Sequence, residues 1–326
     1  AKSVLIDPQT APAAIAETLR EAGAKLIEKR DPVLGPKSRK NEAELAGMRE
    51  AHKLDGVALA KFLAWFDSEA PKGELTEIGI VTALESFRRE EESCIDASFD
   101  TISGAGPNGA IVHYRVTTRT DRKLNPGEIM LVDSGAQYLS GTTDITRTLS
   151  TGPATPEQKD RYTRVLKGMI AISTARFPTG TTGAQLDILA RQFLWQDGVT
   201  YNHGTGHGVG AFLGVHEGPV GISSRYTTPL EAGNVISNEP GFYKAGEYGI
   251  RIENLITVGE AADYPGFLEF ETITLAPIDT RLIDLNLLTS AERDWLNAYH
   301  ARVWTEIGPL VSGAVKNWLQ QATAEI

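Results

Sequence analysis

Two acidic residues interrupt apolar stretches in the middle of the chain, where they are spaced to share a cation. Asp133 ends the run IMLVD in residues 129–133, and Asp144 follows eleven residues later, after the turn-like GTT of residues 141–143. Burying a lone carboxylate is costly, so an acid in such a strand needs a hydrogen-bonded role, a partner or a metal. For Asp133 alone, the simpler alternative is a strand-end acid that hydrogen-bonds a turn. A hairpin of this length places both acids on one face, where they repel unless they share a proton or a cation.

A histidine cluster lies further along the chain. Three of the six histidines, His203, His207 and His216, fall within fourteen residues, in the segments HGTGHGVG (203–210) and HEGP (216–219). A single histidine is more often a packed core residue than a ligand. Three in a glycine-dense stretch indicate a binding site instead, because glycines let the backbone approach a ligand closely.

Two glutamates complete the set. Glu239 lies in SNEPGFY, and Glu253 ends the apolar stretch GIRIE. The segments 129–149 and 235–258 each look like a strand, a glycine-containing turn and a second strand, and each carries two acids, which predicts two similar halves that face one another. Four carboxylates and one imidazole form a hard, oxygen-rich set that suits a bridged pair of Mn²⁺, Co²⁺ or Zn²⁺ ions.

The elements that must position these residues are segregated in blocks. The sequence predicts strands over 110–117, 129–138, 143–149, 234–243, 250–258 and 267–276. Capping signals predict helix starts at Asn41, Thr155, Thr181/Thr182 and Thr289, and further helices over 75–92 and 314–322. Blocks of helices and strands without regular alternation favour an α+β fold.

The first residues form a separate unit. Residues 4–6 and 25–27 are predicted strands that flank a helix over 11–23, and the linker 30–36 is a domain boundary. We therefore expect residues 1–36 to be the C-terminal remnant of a preceding domain. Residues 37–326 are expected to form the main domain, with a helical extension over 278–326.

Composition excludes several classes of protein. A net charge of −10 argues against a general binder of phosphate backbones. No apolar run reaches the roughly 18 residues that span a bilayer. The single cysteine, Cys94, rules out a disulfide framework and Cys-rich structural zinc, and it fits a reducing compartment.

The segment GAGPNG (104–109) matches the G-x-G-x-x-G pattern literally. A dinucleotide site needs a strand before this pattern and a helix after it. Here a strand over 110–117 is predicted to follow, so we interpret the match as a loop. His113 would then lie in that strand, and it belongs to the site only if the strand lines the same cavity.

In chain order, Asp133, Asp144, His207, Glu239 and Glu253 resemble the five ligands of the dinuclear pita-bread metallopeptidases. That group includes methionine aminopeptidase, prolidase and Xaa-Pro aminopeptidase (aminopeptidase P). The closer resemblance is to the long, three-domain Xaa-Pro aminopeptidases. It covers roughly residues 37–326 and is carried by HGTGHGVG with VHEGP, by SNEPGFY and by the tail DWLNAYH. The N-terminal domain and most of the middle domain of that family have no counterpart here.

The resemblance implies a pita-bread fold, in which helices cover a curved antiparallel sheet in two pseudo-symmetric halves. It also implies hydrolysis of the bond between an N-terminal residue and a penultimate proline by a hydroxide that bridges two metal ions. These ions would be Mn²⁺, with Zn²⁺ or Co²⁺ as alternatives. The expected partners are peptides that begin Xaa-Pro, with no nucleic acid and no membrane. A cytoplasmic homodimer that pairs through the catalytic domain is expected.

Roles follow from the resemblance residue by residue. Asp133 would bind one metal and His207 with Glu239 the other, while Asp144 and Glu253 would bridge both. Glu239 would also act as general base. Three histidines would act on the substrate: His216 on the scissile carbonyl and its oxyanion, His113 on the nitrogen of the leaving proline, and His203 at the proline site. Tyr243 would contact the site, and Arg251 would be a partner of the bridging acid Glu253.

Two other functions are compatible with the sequence. One is a prolidase or another amino-terminal exopeptidase on the same fold, because these motifs do not determine the length of the product. The other is a catalytically silent module that binds peptides or proteins. The fragment would also be inactive if absent domains complete its dimer or its channel.

Overall fold

The computed structural model describes residues 2–326. Its α-helices are α1 (Ala13–Glu21), α2 (Leu34–Ser38), α3 (Glu42–Glu69), α4 (Glu77–Arg88), α5 (Pro156–Ser173), α6 (Gly183–Trp195), α7 (Ser290–Ile307) and α8 (Gly313–Ala322). Its strands are β1 (Ser3–Ile6), β2 (Lys25–Glu28), β3 (Cys94–Ala97), β4 (Ile102–Ala105), β5 (Ile129–Ser134), β6 (Ala136–Tyr138), β7 (Gly141–Thr142), β8 (Ile145–Ser150), β9 (Arg176–Pro178), β10 (Gly206–His207), β11 (Gly221–Ile222), β12 (Val235–Asn238), β13 (Gly241–Lys244), β14 (Tyr248–Arg251), β15 (Asn254–Glu260) and β16 (Phe267–Thr272). No helix among the described residues combines the length and the apolar character needed to cross a membrane.

Local signals set the helix starts that the sequence predicted. At the start of α3, the Asn41 side chain accepts from the Glu44 N–H at 3.0 Å, and the Glu44 carboxylate accepts from the Asn41 N–H at 2.9 Å. This reciprocal pair satisfies two donors that the first helical turn leaves free. The same capping box opens α5 at Thr155 and α7 at Thr289, and at the start of α6 the Gln185 side chain accepts from the Thr182 N–H at 2.8 Å. The predicted starts are therefore confirmed.

Removing one cap should have a measurable effect on stability. We expect Asn41→Ala to lower the free energy of unfolding by about 1 kcal/mol, because the Glu44 amide loses its acceptor. Glu50→Ala is the matched control, since Glu50 is an exposed residue within α3. It should change stability by less than about 0.5 kcal/mol. Urea unfolding followed by circular dichroism measures both, and equal losses would contradict a capping role.

Two strand pairs with similar connections form the centre of the domain. In the first, β5 pairs antiparallel with β8, and the hairpin β6–β7 lies between them in sequence. In the second, β12 pairs antiparallel with β15, and the hairpin β13–β14 lies between them. Strand topology thus confirms the predicted similarity between the two halves and the α+β class. The one parallel pairing among the described strands, β1 with β2, lies in the N-terminal unit.

Helices pack against one face of these sheets, and the acidic side chains lie on the opposite face. On β5, Met130 and Val132 pack against Phe62 of α3 and Leu84 of α4 in one apolar cluster. Asp133 points the opposite way, because successive side chains of a strand alternate between faces. A second cluster packs α5 and α7 against β14, through residues that include Leu166, Ile250 and Leu296.

Arg147 joins the two halves and the C-terminal helices. It is 3% exposed, and its guanidinium donates to the Glu253 carbonyl at 2.6 Å, to the Ala276 carbonyl at 2.7 Å and to the Pro277 carbonyl at 2.9 Å. It also lies 3.1 Å from the Tyr299 hydroxyl of α7. One buried side chain therefore fixes β8 against the start of β15.

The predicted strand over 110–117 is wrong. Residues Gly106–Ala110 form a short 3-10 helix, and the backbone then makes local turns, with the Tyr114 N–H donating to the Ile111 carbonyl. The apolar alternation of this segment resembles a strand, but tertiary hydrogen bonds of its side chains override it. The interpretation of GAGPNG as a loop rather than a nucleotide motif holds, since no α-helix follows it directly.

Other predicted strands are interrupted or shorter in the structure. The segment 129–138 is interrupted at Gly135, and the segment 250–258 is interrupted at Ile252 and Glu253. The segment 234–243 is interrupted at Glu239 and Pro240, because proline lacks the N–H that a ladder requires. The segment 267–276 ends at Thr272. The break after β12 leaves Glu239 outside the strand, and its N–H donates to the Thr205 carbonyl at 2.7 Å.

Candidate metal centre

The four acids lie at equivalent places in the two halves. Asp133 is opposite Thr146 in the β5–β8 pair, and Asp144 directly precedes β8. Glu239 directly follows β12, and Glu253 directly precedes β15. Each antiparallel pair therefore delivers two acids at one end. His207 of β10 joins them, and all five side chains line one cavity of about 1260 Å³.

The acids and the imidazole are close enough to share ions. Ligand atoms of Asp144, His207 and Glu253 all lie within 4.8 Å of one another. His207 Nε2 is 3.4 Å from Asp144 Oδ2 and 3.5 Å from Glu239 Oε1. His207 Nδ1 donates to the Gly208 carbonyl at 3.0 Å, which leaves Nε2 as the nitrogen that faces the carboxylates.

Electrostatics show that this set requires positive charge. Burial and the neighbouring Asp133 carboxylate raise the pKa of Asp144 to about 6, although the interaction with His207 opposes the rise. Burial and the other acids likewise raise the pKa of Glu239 to about 7 and that of Glu253 well above its ordinary value. Burial lowers the pKa of His207, but Asp144 and Glu239 outweigh it and raise that pKa to about 9. Divalent cations would supply positive charge to this set.

The donor set fits such ions. Asp133 Oδ1 is buried and has no hydrogen-bond partner in the described part of the chain, whereas buried polar atoms are nearly always paired. Its other oxygen, Oδ2, accepts from Arg251 Nη2 at 2.7 Å. Carboxylate oxygens with one imidazole suit a transition metal better than a thiolate site would. Asp133 therefore offers one free oxygen to the shared site.

Hydroxyl groups orient two of the glutamates. The Thr146 hydroxyl donates to Glu253 Oε2 at 2.7 Å, and the Ser237 hydroxyl donates to Glu239 Oε1 at 3.0 Å. Ser237 Oγ also accepts from the His207 N–H at 2.9 Å. Sequence reasoning missed both residues. Ser237 precedes Glu239 by two, which is a usable signal, but Thr146 and Glu253 meet only through the fold.

Arg251 binds a different acid from the one expected. The sequence predicted a partner for Glu253, but the ion pair of Arg251 is with Asp133, and its Nε donates to Thr146. It is 2% exposed. Its Nη1 donates to the Tyr243 hydroxyl at 2.6 Å. The guanidinium hydrogen bonds of Arg251 are thus made to groups of this protein, and its charge neutralises Asp133.

His203 is a neutral, fixed imidazole. Its Nδ1 donates to the Gly204 carbonyl at 2.7 Å, and its Nε2 lies 2.9 Å from the Tyr243 hydroxyl. Burial and the nearby Arg251 lower its pKa to about 3. Both ring nitrogens are engaged, so His203 presents a ring surface to the cavity rather than a free hydrogen-bonding group.

Two further histidines face the cavity. His216 stands edge-on to His207, with 4.2 Å between the ring centroids. Burial lowers the pKa of His216, and His207 lowers it further. His113 also lines the cavity and is exposed, although it lies in a loop and not in the predicted strand. All the site residues predicted from the sequence, apart from Tyr243, line this cavity; Tyr243 adjoins it through His203 and Arg251.

Helix α6 braces the histidine segment. Arg191 donates to the carbonyls of Tyr201 at 2.7 Å and His203 at 2.8 Å, and its Nε donates to Asp187 at 2.8 Å. The Thr205 hydroxyl donates to the other Asp187 oxygen at 2.5 Å. The backbone carbonyl of Thr205 accepts from the Glu239 N–H at 2.7 Å. The segment between His203 and His207 is therefore held from both sides. Sequence reasoning did not find these residues.

Comparison with known proteins places this geometry in a family. Residues 46–260 match metallopeptidase family M24, and residues 266–326 match the C-terminal region of that family. A probable Xaa-Pro aminopeptidase P of Paracoccidioides brasiliensis is 47% identical over 322 residues, which cover 95% of this chain and 52% of that protein. The chain thus spans about half the length of this curated relative.

Solved structures agree. An X-prolyl aminopeptidase from Caenorhabditis elegans, described as a cytosolic enzyme with a di-nuclear active site, superposes with a TM-score of 0.92 at 40% identity. That match covers 99% of this chain and 54% of the other. An Xaa-Pro dipeptidase from Bacillus anthracis gives a TM-score of 0.73 at 27% identity, over 85% of this chain and 74% of the other. The expected pita-bread fold is confirmed, and the chain belongs to metallopeptidase family M24.

Proposed function

We propose that this chain is the catalytic part of a metal-dependent exopeptidase that removes the residue ahead of a penultimate proline. The observation that carries the proposal is the convergence of four carboxylates and one imidazole on the wall of one large cavity, in a chain whose curated relatives are named Xaa-Pro aminopeptidase P. An acid set of this kind on a cavity wall is typical of metal-assisted hydrolysis.

Five residues are proposed to hold two divalent ions. Asp133 would bind one ion, His207 and Glu239 the other, and Asp144 and Glu253 both. The unpartnered Asp133 oxygen and the closeness of Asp144, His207 and Glu253 support this assignment. Manganese is our first choice of metal, with zinc and cobalt as alternatives.

Such ions supply Lewis acidity and make a water molecule nucleophilic at neutral pH. The chain's own residues would move the proton and stabilise the developing charge. Glu239 is proposed as the general base, because the Ser237 hydroxyl fixes its Oε1 and leaves Oε2 to take a proton. His216, beside His207, would donate to the scissile carbonyl oxygen as negative charge develops there.

Two histidines would bind the proline side of the substrate, and two further residues would support them. His113 is exposed to the cavity, and we assign it the nitrogen of the leaving proline. His203 has both nitrogens engaged by the chain, so its ring would shape the proline site by contact. Tyr243 and Arg251 are proposed to act through this site rather than on the substrate directly, because their polar groups are bound to His203 and Asp133.

The cavity supports peptides longer than a dipeptide. Its volume of about 1260 Å³ exceeds the roughly 300–1,000 Å³ of a typical small-molecule site. It extends from the acids past α6 to Ser224, Arg225 and Tyr226. We take this additional space as support for a substrate longer than an Xaa-Pro dipeptide, and so for an aminopeptidase over the prolidase alternative.

A comparison of substrate lengths tests this proposal. With manganese-loaded protein, we expect kcat/KM for Xaa-Pro-Yaa tripeptides to exceed that for the matching Xaa-Pro dipeptides by at least about tenfold, or about 1.4 kcal/mol. Xaa-Ala-Yaa tripeptides are the matched control for proline. Faster turnover of dipeptides would replace the proposal with a prolidase. Elemental analysis on the same samples should find about two transition-metal ions per chain.

The homodimer, the cytoplasmic location and the division at residue 36 remain predictions from the sequence. Gel filtration with light scattering checks the first of these. Limited proteolysis around the linker 30–36 checks the last.

A further inference from the structure

The loop that carries His113 is fastened through the next residue. Tyr114 is buried, at 6% exposure, although its neighbours His113 and Arg115 are exposed. Its hydroxyl lies 2.9 Å from Glu77 Oε2, 2.8 Å from Asn108 Nδ2 and 3.2 Å from the Thr120 carbonyl oxygen. One phenol thus connects the start of α4, the GAGPNG turn and the far end of the loop.

Glu77 is a buried anchor for these contacts. Its side chain accepts from the Ala105 N–H at 2.8 Å and from Asn108 Nδ2 at 2.9 and 3.1 Å, in addition to Tyr114. Burial raises its pKa, and these donors oppose the rise. A buried carboxylate that loses a donor is costly, so the structure holds Tyr114 firmly in place.

The glycines of GAGPNG allow this anchor to form. A Cβ on Gly104 would lie 2.8 Å from Gly109 Cα, and a Cβ on Gly249 of β14 would overlap the Gly109 carbonyl oxygen. Gly106 adopts a φ of +49°, which is unfavourable for other residues. The motif that matched a nucleotide fingerprint therefore packs a tight turn against β14, the strand that carries Arg251.

The loop is held by side-chain contacts rather than by a strand pairing of its own. Tyr114 also packs with Ile102 and Leu131, and the next residue, Arg115, forms an ion pair with Asp100. Residues 111–123 contain no strand in the described structure, and their mutual backbone hydrogen bonds are local turns, such as Thr120 N–H to the Thr117 carbonyl. On the other side of His113, the Val112 carbonyl accepts from Arg251 Nη1 at 3.4 Å. Side-chain anchors on both flanks of His113 therefore decide where its imidazole points.

We propose that Tyr114, anchored on Glu77, is a positioning residue that holds His113 toward the substrate in the cavity. The inference rests on the proposed function, in which His113 meets the nitrogen of the leaving proline. Tyr114 itself does not line the cavity, so it acts through its neighbour. Sequence motifs do not reveal this role, because Glu77 and Tyr114 are 37 residues apart.

A double-mutant cycle tests the coupling. In manganese-loaded protein, Tyr114→Phe should lower kcat on an Xaa-Pro-Yaa peptide by about tenfold or more, as expected for a misplaced group. In a His113→Ala background, the same change should cost less than about twofold, because the group that it positions is absent. Glu77→Gln, which replaces one acceptor oxygen by an amide N–H that faces the Asn108 Nδ2 donor, should show the same dependence on His113. Equal losses in both backgrounds would overturn the proposal.

Hydrogen exchange provides a readout that does not depend on activity. Tyr114→Phe should speed amide exchange in residues 106–120 and leave residues 129–150 unchanged. Tyr248→Phe is the matched control, because Tyr248 is buried and its hydroxyl has no partner among the described residues; it should alter neither kcat nor exchange. Unchanged exchange in Tyr114→Phe would overturn the inference. Wild-type protein that hydrolyses no Xaa-Pro peptide would instead overturn the proposed function, and the exchange data would still decide whether Tyr114 holds the loop.

Discussion

Glu239→Gln should lower kcat/KM on Xaa-Pro-Yaa peptides by at least about a thousandfold while the protein stays folded. The carboxylate of Glu239 is 3.5 Å from His207 Nε2 and accepts from Ser237. A neutral amide keeps the shape of the side chain. However, it cannot take a proton, and it removes one of the negative charges that balance two divalent ions. The variant therefore loses the proposed base and part of a metal site together.

Three measurements separate these effects. Circular dichroism and thermal melting should show a folded variant, because Glu239 lies on the cavity wall and not in an apolar cluster. Elemental analysis reports how much metal remains. Glu260→Gln is the matched control: Glu260 ends β15, the strand that follows Glu253, and it is exposed, so activity should be unchanged. Substantial turnover by a metal-loaded Glu239→Gln variant would exclude Glu239 as the base.

Asp133 and Glu253 could be singled out in the sequence because each breaks a local rule. An acid within IMLVD, or at the end of GIRIE, conflicts with an apolar strand, and a functional site is where such conflicts are expected. Helix starts were predictable for a related reason, since a capping box is complete within four residues, as at Asn41 and Glu44. Both signals are local in sequence. The structure contains the capping box and places these acids on the wall of one cavity, while their role as ligands stays a prediction.

Long-range partners were not predictable. Arg251 was expected to serve Glu253, two residues away, but the fold brings it to Asp133, 118 residues away. Thr146 meets Glu253 across 107 residues. The segment 110–117 has the apolar alternation of a strand, but Tyr114 bonds to Glu77, and no neighbouring strand is available to pair with it. In each case hydrogen bonds between residues far apart in the sequence determine the structure. Such contacts produce no periodic sequence pattern from which they could be predicted.

The ion pair between Arg251 and Asp133 yields the second large prediction. Arg251→Met should lower the free energy of unfolding by about 3–5 kcal/mol in metal-free protein, because it leaves the buried Asp133 carboxylate without its cation. Methionine fills much of the same space, so the loss reflects charge and hydrogen bonds more than a cavity. Arg49→Met is the control: its pair with Glu271 is bidentate but about half exposed, and its loss should cost at most about 1 kcal/mol.

The size of that loss should depend on metal. If Asp133 is a ligand, a divalent ion neutralises the same carboxylate that Arg251 neutralises, and removing the guanidinium also removes a positive charge that repels the ion. Saturating Mn²⁺ should therefore stabilise Arg251→Met more than it stabilises the wild-type protein, so that the difference between them shrinks. Urea unfolding with chelator and with excess Mn²⁺ measures both differences. The same loss under both conditions would mean that Asp133 binds Arg251 alone, and it would remove Asp133 from the metal site.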